Sequence, residues 1–140
     1  MGCHYNCSYD TSIFCRLMKK INLAISGCMG RMGQQLIESS KKNKNFKLVT
    51  LTENRLVNKK FNGIKPELNS DKAFKRIDVI IDFTIPKCTF EILKIASKLR
   101  KKVVIGTTGF TRAQENQIKK YSKKIAILNC LLYTSDAADE

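Results

Sequence analysis

Ile21-Asn22-Leu23-Ala24-Ile25-Ser26 runs straight into Gly27-Cys28-Met29-Gly30-Arg31-Met32-Gly33 and then Gln34-Gln35-Leu36-Ile37-Glu38, and this stretch decides the fold. A short apolar run that stops at a glycine predicts a buried strand. The turn after it has glycine at every third position, and Leu36 and Ile37 follow as the inward side of a helix. Strand, glycine turn and helix together aim backbone N–H groups and a positive helix end at one point, which is how proteins cradle a pyrophosphate. Gly27 permits the tight exit from the strand, Gly30 lets the helix start approach the phosphates, and Gly33 lets helix pack closely on strand. The spacing is G-x-x-G-x-x-G, whereas the usual dinucleotide pattern is G-x-G-x-x-G. Taken alone, the stretch also fits a packing turn in an unrelated α/β domain.

Outward from it, apolar runs alternate with helical patterns. Met32–Lys42 is the first predicted helix and Phe46–Leu51 the second strand. Asn54–Asp71 is polar, with Gly63 and Pro66, and is expected to be a loop. Asp78–Phe83 is the third strand, and its continuous apolar run predicts burial on both faces. A helix begins at Pro86, with Phe90, Leu93, Ile95 or Ala96, and Leu99 on its apolar side. Val103–Gly106 is the fourth strand. Thr111 with Gln114 three residues on is a capping-box pattern opening the next helix, to about Tyr121. Ile125–Leu128 is a fifth strand. Strands and helices alternating at this spacing predict right-handed βαβ units, and so an α/β, Rossmann-like, doubly wound parallel sheet.

The chain has 140 residues and a formal charge of +14. The excess is lysine, accompanied by many Asn and Ile, a bias that A/T-rich codons produce without any partner. The lysines also have a structural place. Lys41, Lys42 and Lys44 close one predicted helix, Lys98, Arg100, Lys101 and Lys102 the next, and Lys119, Lys120, Lys123 and Lys124 the third. Cations there complement the negative helix end by about 0.3–1 kcal/mol each. Those ends lie at the opposite edge of the sheet from the strand C-termini, where ligands bind. A solvated basic face is therefore expected and no nucleic-acid partner; a basic nucleic-acid-binding protein is the rival class. No run approaches the roughly 20 apolar residues of a membrane span, so no membrane association is expected. Of the six cysteines, Cys28 sits in the glycine turn and Cys88 opens a helix, which makes no disulfide framework and fits a reducing cytoplasm.

Both ends are expected to be foreign to the domain. Met1–Leu17 carries Cys3, His4, Cys7 and Cys15 at a loose spacing with no second paired half, so no metal site is expected. It has no apolar core of a signal peptide, and Met18-Lys19-Lys20 is a natural start, leaving residues 1–17 as a doubtful upstream extension. Cys130–Glu140 matches, residue for residue, the translation of a transposon-end sequencing adapter, and is expected to be an adapter-derived tail. Residues 18–129 are left as a truncated dinucleotide-binding domain.

Two further features converge on the same sheet edge. Glu53 ends the second strand about twenty residues beyond Gly33, where an acid receives the adenosine ribose hydroxyls. Arg55 follows and suits a 2′-phosphate, so NADH and NADPH both stay open. Gly106-Thr107-Thr108-Gly109-Phe110 leaves the fourth strand, with backbone N–H groups and hydroxyls suited to a nicotinamide ribose or carboxamide, and Asp82-Phe83-Thr84 ends the third strand beside it. Singly, Glu53 also fits an ordinary loop carboxylate, and Gly-Thr-Thr-Gly a plain turn before Thr111.

In order, Gly27–Gln34 (Gly-Cys-Met-Gly-Arg-Met-Gly-Gln), Ile81–Thr84 (Ile-Asp-Phe-Thr) and Val103–Phe110 (Val-Val-Ile-Gly-Thr-Thr-Gly-Phe) resemble the 4-hydroxy-tetrahydrodipicolinate reductase (dihydrodipicolinate reductase) family across its N-terminal cofactor domain. The resemblance implies an NAD(P)H-dependent oxidoreductase of diaminopimelate and lysine synthesis, which passes hydride from the nicotinamide C4 to an imine carbon of the substrate. It implies that Gly27, Cys28, Met29, Gly30, Arg31 and Met32 form the pyrophosphate turn, with Arg31 beside the phosphates and Cys28 at a variable, non-catalytic position. It implies Glu53 as the adenosine-ribose acid, and Gly106, Thr107 and Thr108 as the nicotinamide-side loop. Some members have arginine where Asn54 stands here. The family's Asn-Phe/Met-Ser segment, its His-His-x-x-Lys motif and its Ser-Gly-Thr turn for the dicarboxylate substrate do not appear, and the only histidine is His4. No catalytic residue is therefore assigned. The 140-residue chain is expected to bind NADH or NADPH weakly at best and without turnover, the small-molecule substrate and a homotetramer belonging to the complete enzyme. A stand-alone nucleotide-binding module is the other alternative.

Overall fold

The computed structural model describes residues 19–130. The expectations for the 1–17 extension, its Cys/His group and the bulk of the 130–140 tail lie outside the described residues.

Ile21–Ser26 forms β1, with Leu23, Ala24, Ile25 and Ser26 all buried, as befits a central strand covered on both faces. Arg31–Lys42 follows as α1 and Phe46–Glu53 as β2. Then come β3 (Glu67–Leu68), α2 (Asp71–Phe74), β4 (Val79–Asp82), α3 (Pro86–Leu99), β5 (Lys102–Ile105), α4 (Arg112–Ser122) and β6 (Ile127–Asn129). All neighbouring strands pair in parallel, in the order β3-β2-β1-β4-β5-β6. The order reverses at β1, giving the doubly wound Rossmann arrangement with its switch point between β1 and β4.

Alternate residues of β1 feed two cores. Ala24 joins Ile80, Val103 and Ile105 against Ile92, Leu93 and Ala96 of α3 and Ile118 of α4. Ile25 points the other way and packs with Leu51, Ile37 and Cys28 under α1. The two-residue period of a strand thus glues a helical layer to each face. Thr111 and Gln114 make the capping box at the start of α4, with both reciprocal bonds in place.

The sheet has six strands, whereas five apolar runs are visible in the sequence. The additional strand, β3, is two residues long and both are exposed, so its pairing is a backbone ladder with no apolar pattern to announce it. Asp71 also opens a helix, with the Ser70 hydroxyl accepting from the Ala73 N–H at 3.1 Å. The last strand is displaced from the expected Ile125–Leu128 to Ile127–Asn129, since the Ile125 N–H bonds the Tyr121 carbonyl at the end of α4 at 3.1 Å. Leu93 and Ala96 face inward as expected; Ile92, fully buried, is an unforeseen member of that face.

Ile80, at the middle of β4, is 0% exposed. Ile80→Ala should cost about 2–5 kcal/mol, through lost transfer energy and the cavity left behind. The shift in urea midpoint at constant slope measures it.

Candidate functional site

A crevice of about 470 Å³ opens at the C-terminal ends of β1, β2 and β4, lined by Gly27, Met29, Gly30, Glu53, Asn54, Arg55, Phe83, Thr84, Ile85 and Cys88. Its position follows from the sheet: where strand order reverses, the helices diverge to opposite faces and leave a gap.

The glycine turn forms one wall. Gly27 has φ +83°, and a Cβ there would lie 2.2 Å from the Phe83 carbonyl oxygen, so only glycine lets the turn pass the end of β4. A Cβ at Gly33 would lie 2.1 Å from the Gly27 oxygen, so the second contact is backbone on backbone between α1 and the turn. Around Gly30 the space is open, with the Gly27 oxygen nearest at 3.5 Å.

Helix starts divide into two kinds. The α2 and α4 N-termini are capped by Ser70 and Thr111, whereas α1 and α3 begin at Gly30 and Ile85 with no side-chain cap. Those two uncapped residues line the crevice. The first N–H groups of a helix have no intrahelical acceptor, so these two ends leave donors and two partial positive charges for an anion.

Glu53 ties the turn to β2. Its Oε2 accepts the Met29 N–H at 3.0 Å and faces the Cys28 thiol at 4.0 Å. Among the described residues Oε1 has only a 3.4 Å bond from the Asn54 N–H, which leaves it to accept from a hydroxyl ligand. Cys28 is buried, and desolvation, with the Glu53 charge adding to it, pushes its thiol up to about 11. Burial also raises the Cys88 thiol, with the charges of Glu91, Asp82 and Glu53 in the same direction.

A hydroxyl cluster closes the far side. Asp82 is 0% exposed. Thr84 Oγ1 donates to its Oδ1 at 2.6 Å, and Thr89 Oγ1 and Thr107 Oγ1 donate to its Oδ2 at 2.5 Å and 3.1 Å. Thr107 Oγ1 in turn accepts the Thr84 N–H at 2.9 Å. Burial raises the Asp82 carboxyl above its ordinary value, against the pull of the three hydroxyls.

Of the residues singled out from sequence, Gly27, Met29, Gly30 and Glu53 meet in the crevice wall. The Cys28 side chain turns into the α1 core, Met32 is 44% exposed at the start of α1, and Arg31 is exposed beside it. Gly106, Thr107 and Thr108 stand at the end of β5; Thr107 is buried on Asp82 and Thr108 is exposed. Ile85 and Cys88 line the crevice without having been singled out. Their signal was Pro86, which fixes the first turn of α3 and so puts its neighbours at the helix mouth. The helix-end lysines lie elsewhere: Lys98 pairs with Asp71 and Lys41 with Glu38, exposed contacts worth about 0–1 kcal/mol each.

The sequence model of the family described as "Dihydrodipicolinate reductase, N-terminus" matches residues 21–131. The chain belongs to that family. It is 68% identical over 111 residues to a 4-hydroxy-tetrahydrodipicolinate reductase of Pelagibacter ubique, covering 79% of this chain and 43% of the relative. It is 40% identical over 123 residues to the enzyme of the same name from Buchnera aphidicola, again 79% of this chain and 45% of the relative. Among solved structures, a dipicolinate-bound dihydrodipicolinate reductase from Paenisporosarcina sp. superposes with a TM-score of 0.62 at 27% identity, over 74% of this chain and 43% of that one. The chain thus spans less than half the length of these relatives. No helix among the described residues is long and apolar enough to cross a membrane, and no group of His, Cys, Asp or Glu among them could hold a metal ion.

Cys130 is exposed while Cys28 and Cys88 are buried. At pH 8 about a thousandth of Cys28 is thiolate. Iodoacetamide should therefore label Cys130 and spare Cys28 and Cys88 until denaturant is added, as read by peptide mass spectrometry.

Proposed function

We propose that residues 18–129 are the dinucleotide-binding domain of an NAD(P)H-dependent reductase that converts 4-hydroxy-tetrahydrodipicolinate to tetrahydrodipicolinate, in the cytoplasmic synthesis of diaminopimelate and lysine. The observation that carries this is the uncapped start of α1 at Gly30, set beside the half-free carboxylate of Glu53 in one crevice. A dinucleotide needs both: donors and positive charge for its pyrophosphate, and an acceptor for its adenosine ribose. The Arg55 guanidinium in the same wall suits a 2′-phosphate, so the site takes NADH or NADPH.

Gly27, Cys28, Met29, Gly30, Arg31 and Met32 form the turn that holds the pyrophosphate; the Gly27, Met29 and Gly30 N–H groups are bonded within the protein, so the donors are the N–H groups of the first turn of α1 and the Arg31 guanidinium. Glu53 holds the adenosine ribose. Gly106, Thr107 and Thr108, across the switch point at the end of β5, hold the nicotinamide half. The bound cofactor supplies a hydride from its reduced ring. The small-molecule substrate and a homotetrameric assembly belong to the complete enzyme. No nucleic-acid partner is proposed, since the lysines close helices away from the crevice.

Gly30 and Gly33 separate ligand from fold. Gly30→Leu meets open space, so the variant should melt within a few degrees of the unaltered chain, about 0.5–1 kcal/mol being lost at the N-cap. It should lose NADH and NADPH binding in a fluorescence titration. Gly33→Ala drives a Cβ into the Gly27 carbonyl and should lower the melting temperature sharply. Unchanged cofactor affinity in Gly30→Leu would sink the proposal. So would a salt-sensitive DNA affinity in place of cofactor binding.

A further inference from the structure

Asp82 occupies a costly position. It is a carboxylate with no exposed surface and, among the described residues, no cation as a hydrogen-bond partner. Buried charge left without satisfied lone pairs is strongly destabilising. Three threonine hydroxyls supply the satisfaction here, and each comes from a different segment: Thr84 from the β4–α3 turn, Thr89 from the first turns of α3, Thr107 from the loop after β5. The backbone adds a fourth tie, since the Asp82 carbonyl accepts the Gly106 N–H at 2.8 Å.

The orientation of Thr107 follows from this cluster. Its single hydroxyl donates to Asp82 and accepts the Thr84 N–H, so both the rotamer and the path of the Gly106–Thr108 backbone are fixed. Removing both carboxylate oxygens, as in Asp82→Leu, would not preserve this, since leucine is similarly branched but accepts no hydrogen bond. Thr84 and Thr89 can each redirect the hydroxyl proton to the Ile85 carbonyl, which both already face at 3.3 Å. Among the described residues Thr107 has no second acceptor of this kind, so its hydroxyl proton is stranded and the loop is released.

Resting on the cofactor assignment above, we infer that Asp82 is a positioning residue for the nicotinamide half of the site: by gathering Thr84, Thr89 and Thr107 it sets the loop after β5 before ligand arrives. The adenosine half is organised separately, by Glu53 on the Met29 N–H. A group that only stabilised the fold would affect both halves alike; Asp82 affects one.

The two halves can be read with two ligands, NADH and ADP, which shares the adenosine and pyrophosphate but lacks the nicotinamide and the ribose that carries it. Calorimetric titration of the 140-residue chain should show Asp82→Leu weakening NADH about tenfold, as expected for one buried hydrogen bond left unmade. ADP affinity should stay within about twofold, a difference too small to reflect such a loss. Thr89→Val removes one donor from Asp82 without touching the crevice and should act in the same direction, which keeps the test in force if Asp82→Leu does not fold. In a double-mutant cycle, Asp82→Leu should cost little more once Thr107→Val is present, because the two act through one bond. Unchanged NADH affinity, an equal loss for both ligands, or fully additive losses with Thr107→Val would each overturn the inference while leaving the cofactor reading intact. Absence of NADH binding by the unaltered chain overturns both.

Discussion

The approach of two backbones, at Gly27 and Gly33, governs the rest of this structure. No side chain fits between them: a Cβ on Gly33 would stand 2.1 Å from the Gly27 oxygen. That closeness brings the first turn of α1 down onto the end of β1. The helix start then has nowhere to point but over the sheet edge, and Met29 comes within 3.0 Å of Glu53 on the neighbouring strand. Gly27, at positive φ beneath the Phe83 carbonyl, performs the matching task toward β4. One short glycine turn thereby sets the spacing of three strand ends and the direction of a helix dipole.

The distribution of helix caps carries the functional argument. A buried or ordered helix start must find acceptors for its first N–H groups. Away from the crevice this chain provides them itself, with Ser70 on α2 and a full capping box on α4. At the crevice it provides glycine and isoleucine. Capping the crevice helices with Ser, Thr or Asp would stabilise α3, in place of isoleucine, by about 1 kcal/mol and α1, in place of glycine, by about 0.3 kcal/mol. It would also fill the donors that a pyrophosphate needs. The two uncapped ends are therefore local concessions of stability, and they occur together on one cavity wall.

Legibility in the sequence followed the strength of local periodicity. β1, the glycine turn and α1 could be read at once, because strand, turn and helix each leave a distinct pattern within a few residues. The parallel, doubly wound class followed from alternation alone. The short β3 could not be read, since Glu67 and Leu68 bury no face and pair only through the backbone. Ile85 and Cys88 were invisible for another reason: their place in the crevice depends on where α3 starts in space, not on their own chemistry. From its position after a strand, Thr107 is expected to offer its hydroxyl to a ligand. The residue that claims that hydroxyl, Asp82, lies 25 positions away, a separation no local pattern encodes.

Asp82 shows why an expensive residue can be the suitable one at such a place. Filled with an apolar side chain of similar volume, the position would escape the desolvation cost, and buried polar clusters often stabilise less than the apolar packing that could replace them. Apolar packing, however, is non-directional and would leave Thr84, Thr89 and Thr107 free to choose rotamers. A carboxylate with two oxygens can hold three hydroxyls at once, each at a defined angle and each from a different segment. What is lost in net stability is returned as fixed direction along the β5 loop, on the side of the sheet where Glu53 does not reach. The crevice is thus braced at both ends by an acid, one half-exposed with a carboxylate oxygen to offer a ligand, the other buried with both oxygens spent on the protein itself.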